Sequence, residues 1–350
     1  MKILIIGPSW VGDMVMSQSL YRTLKANNPA ASIDVMAPDW CRPILSRMPE
    51  VSNVIAMPIG HGALQLGLRR QLGKELKQTG YDQAIVLPGS LKSALVPWFA
   101  DIAKRTGWLG EMRYGLLNDY RKLDKAAFPL MVERYVALAF DKAEMTSAQA
   151  LPQPLLYPAL QVDSESSQAA CQALGLNQQR PTLAICPGAE FGPAKRWPHY
   201  HYAAAVSQLI EKGWQVWIFG SGKDQPVGDE IIAALPEQHR EHCVNLAGKT
   251  QLEQAVDLMA SCKAAITNDS GLMHVAAAVG LPLVALYGPS SPDFTPPLTH
   301  QAKVLRLIDG YLKVRKGDGE QGYHQSLIDI TPQMALDALD ELLAGQSCAS

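Results

Sequence analysis

The sequence predicts an α/β protein with two open domains, each built on a parallel sheet that is covered by helices on both faces. Short apolar runs bounded by turn residues alternate with longer segments of helical periodicity, which is the pattern of parallel sheets. The alternation stops once, at a proline-rich stretch, and then starts again. The chain has 350 residues, of which 47% are apolar and 18% charged, so it can bury two cores. This composition excludes disordered, collagen-like and coiled-coil proteins.

The first half of the chain alternates four strands with four helices. In the helix predicted over 13–27, apolar residues recur every four positions at Met16, Leu20 and Leu24. The segment 62–78 has a similar stripe of leucines, at Leu64, Leu68, Leu72 and Leu76. The predicted strands are 2–7, 32–37, 53–57 and 82–87, and the predicted helices are 13–27, 39–48, 62–78 and 90–102.

Residues 146–166 contain Pro152, Pro154, Pro158 and several serines, and they have little periodicity, which indicates a linker. We therefore expect domains at 1–160 and 161–350. Whether the C-terminal helix packs back on the first domain is left open. The strands predicted after the linker are 182–186, 214–219, 243–246, 264–267, 283–286 and 304–308. The helices predicted there are 200–212, 229–235, 252–261 and 333–343.

The formal net charge of −2 argues against a nucleic-acid-binding protein. Residues 1–160 hold 18 basic and 13 acidic residues, a balance of +5, and residues 161–350 hold 13 and 20, a balance of −7. The two halves should therefore have different partners. The N-terminal apolar run is too short for a signal peptide, and no run is long enough for a membrane span. The cysteines lack zinc-site spacing and are typical of reduced thiols in a cytosolic protein; they are Cys41, Cys171, Cys186, Cys243, Cys262 and Cys348.

Ligands of open parallel sheets bind at the carboxyl ends of the strands, so the loops after strands are informative. The first, Gly7-Pro8-Ser9-Trp10-Val11-Gly12-Asp13, lacks the Gly-Lys-Ser/Thr of a P-loop and the Gly-x-Gly-x-x-Gly of a dinucleotide site. P-loop hydrolases and nicotinamide oxidoreductases are therefore disfavoured. Asp13 either caps the helix that follows or serves as a general base beside a bound hydroxyl.

The second informative loop, 186–198, joins a strand to a helix and is shaped by glycines and prolines. Its Lys195 and Arg196 suit an anion such as a diphosphate, although a solvated basic pair is the alternative. Asp224, after the next strand, either binds ribose hydroxyls or lies in a solvated turn.

The third loop, 267–274, again follows a strand and opens a helix. The backbone N–H groups at Ser270 and Gly271 suit phosphate oxygens. The alternatives are that Asp269 is only an N-cap and that His274 is a satisfied, partly buried histidine. A fourth loop, 287–297, is long and stiffened by prolines.

Taken in order, these strings resemble the bacterial ADP-heptose:lipopolysaccharide heptosyltransferases over nearly the whole chain. The resemblance is carried by 7–14, by 187–198, by Asn268-Asp269-Ser270-Gly271-Leu272-Met273-His274 with Tyr287-Gly288-Pro289, and by Lys313-Val314-Arg315-Lys316-Gly317-Asp318. The strings 7–14, 187–198 and 313–318 look most like the members that add the second heptose of the inner core. Members that add the first heptose share mainly the third loop.

The resemblance implies the GT-B architecture, with two Rossmann-like domains facing a central cleft, the acceptor on the first and the donor on the second. It implies inverting transfer of L-glycero-D-manno-heptose from ADP-heptose to the first heptose of heptosyl-Kdo₂-lipid A, with Asp13 as general base and with no cofactor or metal. Two alternatives stay open: transfer of the first heptose to Kdo₂-lipid A, and a non-catalytic two-domain sugar-binding protein.

The resemblance also implies site residues and a location. The donor residues are Gly188, Lys195, Arg196, Asp224, Asp269, Ser270, Gly271, Leu272 and His274. The acceptor candidates are Gly12, Arg69, Arg70, Lys74, Lys92 and Arg113, with Lys77 and Arg134 as further basic residues. The basic residues of 69–77 would meet the acidic acceptor or an anionic leaflet, or they form a solvated face. The expected location is cytoplasmic, peripheral on the cytoplasmic face of the inner membrane, without nucleic acid.

Overall fold

The computed structural model describes residues 1–60, 62–190 and 192–347. Phe191 of the second loop and Cys348 lie outside the described residues. The chain divides into two compact units, Met1–Ala159 and Leu160–Ser350.

The first unit contains a parallel sheet with the order β3-β2-β1-β4-β5-β6 among its described residues. This is the doubly wound order, in which the chain starts in the middle of the sheet and winds outwards in both directions. The strands are β1 (Lys2–Ile6), β2 (Ser32–Ala37), β3 (Asn53–Ala56), β4 (Gln83–Val86), β5 (Lys104–Trp108) and β6 (Asp119–Arg121). The helices are α1 (Val11–Asn27), α2 (Arg42–Leu45), α3 (Leu66–Lys77), α4 (Leu95–Phe99) and α5 (Met131–Val136).

The core of the first unit lies on the central strands, which are buried because helices cover them. Leu4 and Ile6 of β1 and Val86 of β4 belong to one apolar cluster, against which Leu72 and Leu76 of α3 pack. Burial of such side chains contributes roughly 1.5–3 kcal/mol each.

The second unit repeats the doubly wound arrangement, with the order β12-β11-β10-β7-β8-β9 in the part that the structure describes. Its strands are β7 (Thr182–Cys186), β8 (Gln215–Ile218), β9 (Cys243–Asn245), β10 (Ala264–Asn268), β11 (Leu283–Leu286) and β12 (Ala302–Leu305). Its helices are α6 (Ser164–Ala173), α7 (His199–Glu211), α8 (Gln225–Ala234), α9 (Glu237–Arg240), α10 (Leu252–Ala260), α11 (Gly271–Ala278), α12 (Gln325–Ile328) and α13 (Pro332–Ser347).

Helix α13 packs on α7, β11 and β12 of its own unit. Its residues Ala335, Leu336 and Leu339 are buried in the same apolar cluster as Leu183 and Ile185 of β7. This helix therefore completes one face of the second sheet.

The predicted α/β class with two parallel sheets is confirmed, and the differences lie in individual elements. Strands β5 and β6 and helices α5 and α6 were not predicted, and α6 occupies part of the expected linker. Helix α3 begins only at Leu66, because Gln65 before it has a left-handed backbone with φ of 42°. The predicted helix 39–48 is reduced to the short α2 and one 3₁₀ turn, and 90–102 to a 3₁₀ turn and α4.

Candidate active site

Asp13 lies in the first turn of α1, directly after the loop that follows β1. Gly7 lets this loop run close to the sheet, because a Cβ there would lie 3.2 Å from the Cγ1 of Val35 and 3.4 Å from the carbonyl oxygen of Met36, both in β2. The cap position of α1 is Trp10, so Asp13 is not the N-cap residue. The neighbouring Gly12 is buried, and Asp13 is half-buried. Its carboxylate lies at the end of α1 where the helix dipole favours negative charge.

Tyr135 of α5 is a buried neighbour of Asp13 that sequence reasoning missed. Its pKa is raised well above the ordinary value, first by burial and then by the negative charge of Asp13. The adjacent Arg134, an acceptor candidate, donates from Nε to the carbonyl of Phe128 at 2.8 Å. No sequence signal marked Tyr135, since it lies where no element was predicted.

Arg69 is buried and binds the backbone of two loops. Its guanidinium donates to the carbonyls of Leu64 at 2.6 Å, Lys92 at 3.1 Å and Ala63 at 3.2 Å. Burial lowers the pKa of this guanidinium. The side chain therefore joins the loop before α3 to the loop after β4.

Arg113 is also buried, and its hydrogen bonds join the loop after β4 to the loop after β5. It donates to the carbonyls of Pro88 at 2.7 Å and Trp108 at 2.5 Å and to the Oγ of Ser93 at 3.0 Å. Burial lowers its pKa to about 10. The Oε2 of Glu111 accepts the backbone N–H of Leu91 at 2.7 Å and adds a further tie.

The other acceptor candidates differ in how accessible they are. Arg70 and Lys74 are exposed on α3, and Lys92 is half-buried beside them in the loop after β4. Lys77 forms an exposed ion pair with Asp101 at 2.9 Å. Arg70, Lys74 and Lys92 are therefore the cations of this group that can meet an anion in solution.

In the second unit, Asn268 at the end of β10 holds both ends of the loop that follows β7. Its Nδ2 donates to the carbonyl of Pro187 at 2.7 Å. Its Oδ1 accepts the backbone N–H of Trp197 at 3.0 Å and the hydroxyl of Tyr202 at 3.1 Å. Asn268 is fully buried. It was part of the third sequence string, but no role was predicted for it.

Lys195 lies in the loop that Asn268 holds, and its Nζ is 2.6 Å from the Oδ2 of Asp269. Both side chains are mostly buried, so Lys195 is not a solvated cation. The cap position of α11 is Ser270, so Asp269 is not the N-cap residue. The ion pair holds the ammonium group of Lys195 beside the residue at which α11 begins.

Several buried polar atoms around the start of α11 have no hydrogen-bond partner among the described residues. They are the Oγ of Ser270, the Nδ1 of His274, the Oγ1 of Thr267 and the Oγ of Ser290. The alternative, in which His274 is a satisfied histidine, therefore does not hold for Nδ1. Burial lowers the pKa of His274 to about 4, so its ring is neutral at pH 7. Buried polar groups without a partner cost about 1–3 kcal/mol each and often mark functional sites.

Asp224 joins the loops after β7 and β8. Its Oδ2 accepts the backbone N–H of Ser221 at 2.9 Å and the hydroxyl at 2.8 Å, and its Oδ1 lies 3.8 Å from the Nη2 of Arg196. A Cβ on Gly188 would lie 2.4 Å from the carboxyl carbon of Asp224. The side chain of Asp224 is thus mostly buried between the two loops, and a side chain at position 188 would have to displace it.

At the end of the second sheet, the structure therefore places Lys195, Arg196, Asp224 and the residues Asp269–Leu272 on adjacent loops. Two cations and the free N–H groups of a helix N-terminus form an arrangement that binds anions. Among the described residues, no three His, Cys, Asp or Glu side chains are grouped so that they could hold a metal ion. Within the same residues, no helix has the length and apolar character needed to cross a bilayer.

Comparison with known proteins gives the family. Residues 69–324 match the model of glycosyltransferase family 9 (heptosyltransferase). Lipopolysaccharide heptosyltransferase 2 of Salmonella typhimurium is 67% identical over 98% of this chain and 99% of its own. The structure of E. coli ADP-heptose lps heptosyltransferase II has a TM-score of 0.91 and 62% identity, over 99% of this chain and 100% of that one. Lipopolysaccharide heptosyltransferase 1 of Pseudomonas aeruginosa is 25% identical over 84% of this chain and 81% of its own. The chain belongs to glycosyltransferase family 9, the heptosyltransferases.

Proposed function

We propose that this enzyme transfers L-glycero-D-manno-heptose from ADP-heptose to the first heptose of the lipopolysaccharide inner core, with inversion and with Asp13 as general base. The observation that carries the proposal is the 67% identity to a heptosyltransferase 2 across 98% of the chain. The heptosyltransferase 1 relative is only 25% identical, which favours the second heptose over the first.

The first unit would supply the base. In an inverting displacement the acceptor hydroxyl attacks the anomeric carbon, the bond to ADP breaks, and the hydroxyl proton passes to a base. Asp13 is half-buried at the start of α1, beside the buried Tyr135. Its carboxylate is held at a defined place on a rigid helix, as a base of this kind requires.

The second unit would supply the positive charge that stabilises the leaving group. As the bond to ADP breaks, the diphosphate gains negative charge, which Lys195 and the N–H groups at the start of α11 would stabilise. Asp269 holds Lys195 in place through the 2.6 Å contact. His274 and Asp269 would shape the donor site, and Asp224 would lie towards the ribose.

The substitution Asp13→Asn tests the base. We expect ADP-heptose to bind with unchanged affinity and turnover to fall by about 10²–10⁴-fold, the range of general-base catalysis. Asp39→Asn is the matched control, because Asp39 is an exposed aspartate of the same unit. Near-normal turnover of Asp13→Asn would remove Asp13 as the base.

Acceptor choice separates the alternatives. The enzyme should use heptosyl-Kdo₂-lipid A and not Kdo₂-lipid A, whereas the opposite preference would indicate the enzyme of the first transfer. A non-catalytic sugar-binding protein would release no ADP with either acceptor.

We further propose that the first unit contacts the anionic cytoplasmic leaflet of the inner membrane, where the acceptor lies. The loops tied by Arg69 and Arg113 carry exposed apolar side chains: Leu64 and Leu66 are each 51% exposed and Met112 is 82% exposed. Met112 has a left-handed backbone with φ of 51°, a strain that persists where the surrounding structure enforces it. We name the three side chains Leu64, Leu66 and Met112 the apolar rim. With the cations of α3 nearby, the apolar rim has the composition of an interfacial membrane contact.

Vesicle binding tests this contact. The double variant Leu66→Gln/Met112→Gln should bind vesicles of phosphatidylethanolamine and phosphatidylglycerol about tenfold less tightly. Each substitution removes apolar surface that would be buried in the lipid interface. Leu156→Gln/Val162→Gln makes the same kind of change elsewhere, at side chains that are 36% and 45% exposed, and should bind as the wild type does. Equal binding by all three proteins would exclude the apolar rim.

A further inference from the structure

The segment after β12 carries three cations that the proposed function does not use. Residues 311–316, which we name the basic strap, read Tyr311-Leu312-Lys313-Val314-Arg315-Lys316, and all of them are exposed. The side chains of Lys313, Arg315 and Lys316 form no ion pair within the described residues. They carry three positive charges in a half of the chain whose balance is −7.

Two backbone hydrogen bonds fix the path of the basic strap. The N–H of Leu312 donates to the carbonyl of Pro289, in the loop after β11, at 2.8 Å. The carbonyl of Arg315 accepts the N–H of Ala194, in the loop after β7, at 3.3 Å. In the sheet, β10 lies between β11 and β7. The basic strap therefore crosses the end of β10.

The length of the strap agrees with a direct crossing. Neighbouring strands lie about 4.8 Å apart, so β11 and β7 are separated by roughly 10 Å. The three residue steps from Leu312 to Arg315 span at most about 10 Å when extended. A segment of this length can therefore run from the loop after β11 to the loop after β7 past the end of β10, which is followed by Asp269 and the start of α11.

Two glycines allow the backbone at one end of the strap to approach neighbouring backbone closely. Gly192 has φ of 113°, and a Cβ there would lie 2.4 Å from the carbonyl oxygen of Arg315. A Cβ on Gly317 would lie 2.2 Å from the carbonyl oxygen of Tyr323. The N–H of Gly317 also donates to the carbonyl of Gly322 at 2.7 Å. The backbone path is thus specified on both sides of the cations.

The start of α11, which the strap crosses, itself indicates a ligand. The Nδ1 of His274, in a side chain that is 5% exposed, has no hydrogen-bond partner among the described residues, and the same holds for the Oγ of Ser270. Lys195 supplies one cation there, already paired with Asp269. A diphosphate carries more negative charge than this paired lysine can compensate.

We propose that Lys313 and Arg315 of the basic strap bind the diphosphate of ADP-heptose and stabilise the ADP that leaves. The proposal rests on the proposed function and adds two residues to the donor site. Both side chains are exposed, and the backbone hydrogen bonds of Leu312 and Arg315 fix the segment that carries them. Together with the N–H groups of α11 on the other side, they would enclose the phosphates between two sets of donors.

Binding of ADP, AMP and adenosine to the full chain tests the strap by isothermal titration calorimetry, without turnover. The double variant Lys313→Ala/Arg315→Ala should raise the Kd for ADP about tenfold or more, because charge-assisted hydrogen bonds are lost. The Kd for adenosine should not change, and that for AMP should change less than that for ADP. Lys263→Ala is the matched control, since Lys263 is exposed just before β10, at the other end of the same strand.

An unchanged Kd for ADP in the double variant would overturn the proposal. It would also be overturned if only the KM for the acceptor rose, or if only vesicle binding weakened, because the strap would then serve the acceptor or the membrane. If the wild type itself bound no ADP, the proposed function would fail instead. The two failures are therefore distinguishable.

Discussion

Asn268→Ala should destabilise the second unit and weaken binding at the proposed donor site. The substitution removes three hydrogen bonds, to Pro187, Trp197 and Tyr202, and all the partners are buried. Each lost bond costs about 1 kcal/mol, and each buried group left without a partner costs about 1–3 kcal/mol. We expect a loss of about 3–6 kcal/mol of unfolding free energy, a large part of the typical total of about 5–15 kcal/mol.

The donor site should be affected because Asn268 holds both ends of the loop that carries Lys195. Urea unfolding followed by the fluorescence of Trp197 and Trp217, both buried in the second unit, measures the stability. Calorimetry with ADP under folding conditions measures the site, and we expect the Kd to rise about tenfold, or 1.4 kcal/mol.

Gln215→Ala is the control for this experiment. The Nε2 of Gln215 donates to the carbonyl of Asn177 at 2.7 Å and to the Oγ1 of Thr182 at 2.8 Å, at the opposite end of the sheet. This variant should lose about 1–3 kcal/mol of stability and bind ADP normally. A loss below about 1 kcal/mol for Asn268→Ala, with unchanged ADP affinity, would refute the reasoning.

Four further outcomes are expected. Arg113→Leu should destabilise the first unit by about 2–4 kcal/mol in urea unfolding, because buried carbonyls lose their donor, while ADP affinity stays constant. The pKa of His274 is about 4 when folded and about 6.5 when unfolded, so the unfolded state binds its proton first as the pH falls. Stability should therefore decline from pH 6.5 towards 4, and His274→Gln should flatten this decline; an identical pH profile would contradict the assignment. Turnover should persist in excess EDTA, and the KM for the acceptor should rise with salt more steeply than that for the donor; loss of activity restored by Mg²⁺, or equal salt slopes, would contradict these two expectations.

The elements that could be predicted from the sequence are those whose burial makes their own residues almost entirely apolar. The strands β2, β7 and β11 were predicted with their observed bounds, because central strands of a parallel sheet are apolar on both faces. The strands β5 and β6 were missed, since they lie at one edge of the sheet and contain charged residues such as Lys104 and Asp119. Helix α6 was missed because its small, polar residues resemble those of a linker.

The sequence predicted which loops lie together at the site better than it predicted the hydrogen-bond partners of individual side chains. The loops after strands do bring Lys195, Asp269 and the start of α11 together, as the order of the strands requires. The burial of Arg69 could not be predicted, because its partners are backbone carbonyls of loops that are distant or irregular. The leucine pattern also misled: Leu64 precedes α3 and is exposed, whereas Gly73 lies against Phe99.

The way in which Arg69 and Arg113 hold their loops has a consequence for redesign. Their guanidinium groups bind mainly backbone carbonyls, which every residue type supplies. The side chains of the tied loops can therefore be exchanged without removing the ties. A library varied at positions 64, 91 and 112, with both arginines retained, should therefore yield folded enzymes. Their affinity for vesicles of different lipid composition should change, while the hydrogen bonds of Arg69 and Arg113 to the loop backbone remain.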